Sequence, residues 1–154
     1  MCLTVRLRGE GRMTEAPALI AACGMNCGIC MGYLRKKNTC PGCRELDDSA
    51  TISCVRCIIR NCETIRTNQS GFCYECPKYP CRRLKALDKR YRTKYAMSML
   101  ENLAFIQEHG LDAFVEKEAE RWRCRKCGGV ICVHRGYCFT CGEKPDGTEN
   151  APAL

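Results

Sequence analysis

Seventeen of the 154 residues are cysteine, and fifteen of these fall into short clusters whose spacing suits metal ligation. Cysteine at this density in a short chain implies either a secreted disulfide framework or a set of thiolate metal sites. The spacing favours metal. Six C-x2-C pairs are present: Cys27/Cys30, Cys40/Cys43, Cys54/Cys57, Cys73/Cys76, Cys124/Cys127 and Cys138/Cys141. A disulfide inside C-x2-C contributes little as a staple, because closing so small a loop removes little chain entropy. Two such pairs facing each other complete a tetrahedral site. The odd total also leaves at least one thiol unpaired, which suits an oxidising compartment badly.

The hydrophobic fraction of 45% counts cysteine, so the apolar core is smaller than it suggests and metal must replace part of the missing burial. The formal charge of +8 overstates the basicity in the same way. A divalent ion on four thiolates carries a net double negative charge, and three filled sites bring the total to about +2.

Arg6, Arg8 and Arg12 precede a small apolar stretch ending in Ile20-Ala21-Ala22-Cys23, which has the form of a lipoprotein cleavage box. The stretch barely reaches the minimum length and follows Glu10 and Glu15, and Cys23 belongs to the metal pattern, so that reading is set aside. No segment approaches the ~20 apolar residues that cross a bilayer, and a cytoplasmic protein with no membrane partner is expected. Met13 is an alternative start, and Cys2 is then a bystander in an N-terminal arm, residues 1–22.

Residues 23–81 hold eleven cysteines among turn formers such as Cys40-Pro41-Gly42-Cys43, which predicts loops and short turns held by metal. In residues 82–122 the pattern becomes helical. Leu84, Leu87, Tyr91, Tyr95, Met99, Leu103 and Ile106 recur at steps of three or four, predicting one long helix to residue 108 that Gly110 stops. A shorter helix follows, with Leu111, Phe114, Val115 and Trp122 on one side and Glu116, Glu118 and Glu120 among the polar positions, so the two pack as a helical hairpin. Residues 123–144 are again cysteine-rich, and 145–154 read as a disordered tail. The expected fold is a small metal-organised α class with irregular and short β structure.

The strongest motif is Cys124-x2-Cys127-x10-Cys138-x2-Cys141, a zinc-ribbon spacing with Gly128 and Gly142 after each knuckle. Val130, Ile131 and Val133 supply short strands between the knuckles. Cys132 and His134 lie there as substitute ligands, although a lone histidine is more often a satisfied structural residue. The same spacing recurs at Cys40, Cys43, Cys54 and Cys57, suggesting a second ribbon-like site, and Cys62, Cys73, Cys76 and Cys81 make a third tetrad. Cys57-x4-Cys62 and Cys76-x4-Cys81 are alike, so other partnerings stay open. Cys81 stands at the start of the long helix, where the dipole favours a thiolate, and an anionic metal centre offsets Arg82 and Arg83 there. Cys23, Cys27 and Cys30 have the C-x3-C-x2-C spacing that resembles the cluster loop of radical-SAM enzymes, but no alternating βα pattern accompanies it. A zinc site borrowing one neighbouring ligand, or an iron-sulfur cluster, are the other readings. Two to four zinc ions are expected, with iron or iron-sulfur as the alternative.

The run Cys23-Gly24-Met25-Asn26-Cys27-Gly28-Ile29-Cys30, then Cys40-Pro41-Gly42-Cys43, Cys54-Val55-Arg56-Cys57 with Cys62, and Cys73-Tyr74-Glu75-Cys76-Pro77-Lys78-Tyr79-Pro80-Cys81 leading into a helix resembles a family of cysteine-rich proteins of bacteria and archaea, a domain of unknown function often described as zinc-binding. The resemblance covers residues 20–105 and leaves the C-terminal ribbon as an added module. It implies metal binding and no particular reaction.

Seven cations fall between Arg82 and Lys94, with Tyr91 among them, and Arg121-Trp122-Arg123-Cys124-Arg125-Lys126 adds more beside the ribbon. Together with Trp122, Tyr137 or Phe139 they suit a phosphate backbone and stacked bases. A solvated helix face or an acidic protein partner is the competing reading. The chain has no H-E-x-x-H, no Gly-rich phosphate loop and no serine nucleophile motif, and all-thiolate sites are closed to substrate. Neither catalysis nor a small-molecule substrate is therefore expected, and a structural-metal interaction module is the leading reading.

Overall fold

The computed structural model describes residues 17–45 and 50–145. The expected N-terminal arm up to residue 16, with Cys2 and Met13, and the tail from residue 146 lie outside the described residues.

Six α-helices occur among the described residues: α1 (Met31–Leu34), α2 (Ile52–Val55), α3 (Glu63–Thr67), α4 (Arg82–Tyr95), α5 (Met99–His109) and α6 (Leu111–Arg121). The first three are single turns, as the turn-rich composition of residues 23–81 anticipates. Extended structure among the described residues is limited to isolated bridges: Ile20 with Asn26, Arg123 with Val130, and Ile131 with Cys138.

The long helix expected over 82–108 is in fact two. Ala96 takes a left-handed conformation, φ 48 and ψ 40, and ends α4. Two residues later Ser98 caps α5, its hydroxyl accepting the Glu101 amide at 3.1 Å. Asp88, buried on α4, secures the corner by accepting the Ser98 hydroxyl at 2.7 Å and the Leu100 amide at 3.0 Å. Arg92 donates to the other oxygen of the same carboxylate at 2.8 Å. A helix running straight through would forgo these contacts and would not fold α5 back on α4. At Gly110, φ 89, the chain turns directly into α6. Three helices thus pack in succession where a hairpin of two was expected.

The apolar stripe faces inward as its spacing requires. Leu84, Leu103 and Phe114 are fully buried, each stabilising the fold by about 1.5–3 kcal/mol. Glu118, expected among the polar positions of α6, is also fully buried. It lies four residues after Phe114 and three after Val115, so it shares their inward face.

The cysteine-rich loop at residues 20–30 packs on this helical layer. Gly24, φ 87, lets the loop approach α5 closely: a Cβ there would stand 2.9 Å from the Met99 carbonyl oxygen. Asn102 donates to the Gly24 carbonyl at 2.9 Å and fixes the contact. The C-terminal cysteine segment joins the same body. Val133 donates to the Ile29 carbonyl at 3.0 Å, and Cys124, Ile131, Val133 and Cys138 belong to the hydrophobic cluster that contains Ile29, Leu84 and Phe114.

Candidate metal centres

The thiols of Cys124, Cys127, Cys138 and Cys141 lie within 4.8 Å of one another and can hold a metal ion. Two equivalent turns build the group. The Gly128 amide donates to the Cys124 carbonyl at 2.8 Å, and the Gly142 amide to the Cys138 carbonyl at 2.9 Å. The Gly129 amide then reaches the Cys127 sulfur at 3.4 Å, a donor aimed at thiolate charge. Across the turns, Cys124 and Cys141 are 3.7 Å apart at sulfur, and Cys127 and Cys138 are 3.5 Å apart. A tetrahedron with metal–sulfur bonds of about 2.3 Å has edges of about 3.8 Å, so the donor set fits an ion with little movement. A disulfide would need about 2.05 Å.

The thiols are unequal. Burial works against the Cys138 thiolate, but the Cys141 and Thr140 amides and the thiols of Cys127 and Cys124 bring its pKa down to about 7. The Gly129 amide favours a Cys127 thiolate, yet the surrounding thiols of Cys141, Cys138 and Cys124 push that group up to about 12. A cation displaces thiol protons as it binds.

Cys62, Cys73, Cys76 and Cys81 line one small cavity of about 30 Å3, walled by Ile58, Ile59 and Arg83. Cys62 and Cys81 stand at the N-caps of α3 and α4. For Cys62, burial is outweighed by the Thr64 and Ile65 amides and by Arg83, which hold its thiol below the usual value. Cys73 is pushed up to about 12 by burial and by its proximity to Cys23, Cys81, Cys62 and Cys76.

Among the remaining cysteines, contacts join Cys40, Cys43, Cys54 and Cys57 to one another and also to Cys23, Cys27 and Cys30. The Cys43 amide donates to the Cys27 sulfur at 3.4 Å, and the Cys43 thiol also meets Cys27 and senses Cys57. Cys23, pushed up to about 12 by burial, senses Cys43 and Cys57. Cys40 and Cys54 interact with each other, and both raise Cys30, which burial already lifts to about 11. The two sets share an edge, because Cys54 also reaches Cys43. Cys23, Cys27 and Cys30 are thus interleaved with the next two knuckles.

Neither substitute ligand belongs to the ribbon group. Cys132 is buried. His134 accepts the Met31 amide on Nδ1 at 3.3 Å and bonds the Tyr91 hydroxyl through Nε2 at 2.9 Å, so it fastens the ribbon to the N-terminal loop and α4. Its pKa is lowered by burial and by Arg90. Trp122, expected on the apolar side of this helix and also offered as a stacking ring, is buried, and its indole donates to Glu118 at 3.0 Å. Asn26 donates to that same carboxylate at 3.4 Å. The signal for this buried network was the placement of Glu118 on the apolar face of α6.

Among the described residues no helix is long and apolar enough to cross a membrane. The chain is a mostly helical, cysteine-rich protein with a four-thiol group able to hold a metal ion. Compared with family models, curated proteins and solved structures, it matches none.

Proposed function

We propose that this chain is a zinc-organised interaction protein of the cytoplasm, in which several thiolate-bound ions hold the N-terminal loops and a C-terminal ribbon in place. The observation that carries the reading is the clustering of the Cys124, Cys127, Cys138 and Cys141 thiols within 4.8 Å of one another. Zinc, when bound, supplies folding free energy and no redox chemistry. Cys124, Cys127, Cys138 and Cys141 supply four donors at one such centre, with the Gly129 amide directed at the Cys127 sulfur.

Metal analysis with an absorption spectrum on protein purified without oxygen tests it. Colourless protein carrying zinc is expected. A coloured protein with iron and sulfide would replace this reading with an iron-sulfur protein in electron transfer.

Through the exposed cations of α4, the proposed partner is a nucleic acid or an acidic protein surface. Arg82, Arg83, Lys85, Lys89, Arg90 and Lys94 are exposed, whereas Arg92 is bound to Asp88. The rings of Tyr137 and Phe139, 6.0 Å apart at an interplanar angle of 7°, replace Trp122 as the stacking surface. Binding to mixed DNA and RNA is expected to weaken steeply with salt; absent or salt-independent binding excludes it.

A further inference from the structure

We propose that the cavity lined by Arg44, Arg60, Arg66, Cys23, Cys43 and Cys57 is a binding pocket for a small oxyanion of the phosphate type. Its volume is about 220 Å3, against about 30 Å3 for the cavity of Cys62, Cys73, Cys76 and Cys81. One water occupies about 30 Å3 in the liquid. The smaller cavity therefore suits a single ion, whereas the larger has space for a polyatomic group beside any ion that its thiols hold.

Arg44 and Arg60 are held in place by the fold, and Arg66 more loosely. Arg44 donates to the Ile20 carbonyl at 2.7 Å and the Gly71 carbonyl at 3.1 Å, and lies over the Phe72 ring. Gly71, φ 71, leaves it room, since a Cβ there would stand 2.9 Å from the guanidinium. Arg60 donates to the Cys43 carbonyl at 2.6 Å. Arg66 reaches Asn61 Oδ1 at 3.4 Å. All of these acceptors are neutral. The ion pairs found among the described residues include none to Arg44, Arg60 or Arg66.

Charge decides the ligand class. A divalent ion on the three lining thiolates carries a single negative charge. If Cys27 closes the shell, the charge is double. Three guanidiniums exceed either, so the pocket stays positive and attracts an anion. The metal reading enters here only through the charge of the thiolate face.

Titration of the full-length protein, as isolated, with inorganic phosphate by calorimetry tests the pocket, with metal content measured on the same samples. Arg66→Gln is the informative variant, because Arg66 makes the fewest contacts with the fold. Lys37→Gln, exposed and outside both this cavity and α4, controls for general charge. Saturable binding is expected, about tenfold weaker in Arg66→Gln at unchanged metal content and unaltered in Lys37→Gln. No saturable binding by the parent protein, or equal weakening in both variants, overturns the proposal. Arg66-dependent binding by a protein that holds no metal would support the pocket while removing the metal reading.

Discussion

The backbone amide of Val133 donates to the carbonyl of Ile29 across 3.0 Å, tying the segment between the ribbon knuckles to the turn between Cys27 and Cys30. His134 adds a second tie by accepting the Met31 amide at 3.3 Å. A disturbance of the ribbon should therefore be felt in the N-terminal loop. In Cys138→Ser, hydrogen exchange at the Met31 amide is expected to speed up along with that at Val133, while the Lys85 amide inside α4 keeps its protection. Unchanged exchange at Met31 would show that the ribbon opens alone.

Ser98 holds the corner between α4 and α5 by accepting the Glu101 amide and donating to Asp88. Ser98→Ala removes both of these contacts, and the hydrogen bond that Arg92 donates to the same hydroxyl at 2.9 Å, at a buried position. A loss of about 1–2 kcal/mol is expected in denaturant unfolding of the metal-saturated protein. A change below a few tenths would mean that the corner is held by packing alone.

Asp88 gives the same corner a pH dependence. Burial by itself raises the carboxyl, but the Leu100 amide, the Ser98 hydroxyl and Arg92 outweigh it and hold the group below its ordinary value of 3.8. A carboxyl whose pKa is lower in the folded state stabilises the fold fully above the unfolded value. That contribution fades as pH falls through the depressed one. Asp88→Asn should thus cost about 1.5–3 kcal/mol near neutral pH. The gap from the parent protein should narrow below about pH 4. A gap that stays constant with pH would assign the effect to shape and not to charge.

The four-thiol group was legible in the sequence because all its cysteines lie in two local turns, Cys124-x2-Cys127 and Cys138-x2-Cys141, and the glycines after them permit the required backbone. The break between α4 and α5 was hidden because Tyr95 and Met99 are four residues apart, so the apolar stripe keeps its phase across the corner. The available signal was Ser98-x-x-Glu101, a capping-box pattern inside an otherwise continuous stripe. Partnering among Cys23, Cys27, Cys30, Cys40, Cys43, Cys54 and Cys57 was illegible for another reason. Knuckles of identical spacing can pair in several ways, and packing decides which sulfurs meet. Arg44, Arg60 and Arg66 likewise converge only through tertiary contacts, with nothing in their spacing to announce it.

Glu118 offers a test of the buried network that joins Asn26 to Trp122. Burial raises its carboxyl above the ordinary value, and Oε1 has no hydrogen-bond partner. Glu118→Leu would leave Asn26 and the Trp122 indole without their acceptor and should cost about 2–4 kcal/mol, whereas Glu118→Gln keeps an acceptor oxygen and should cost under about 1 kcal/mol. Equal losses measured by denaturant unfolding would show that the negative charge itself is required.

X-ray absorption at the zinc edge, on freshly isolated folded protein, tests the central claim most directly. A first shell of sulfur at about 2.3 Å is expected. A folded sample that contains neither zinc nor iron, or whose cysteines are bridged to one another, would contradict the account.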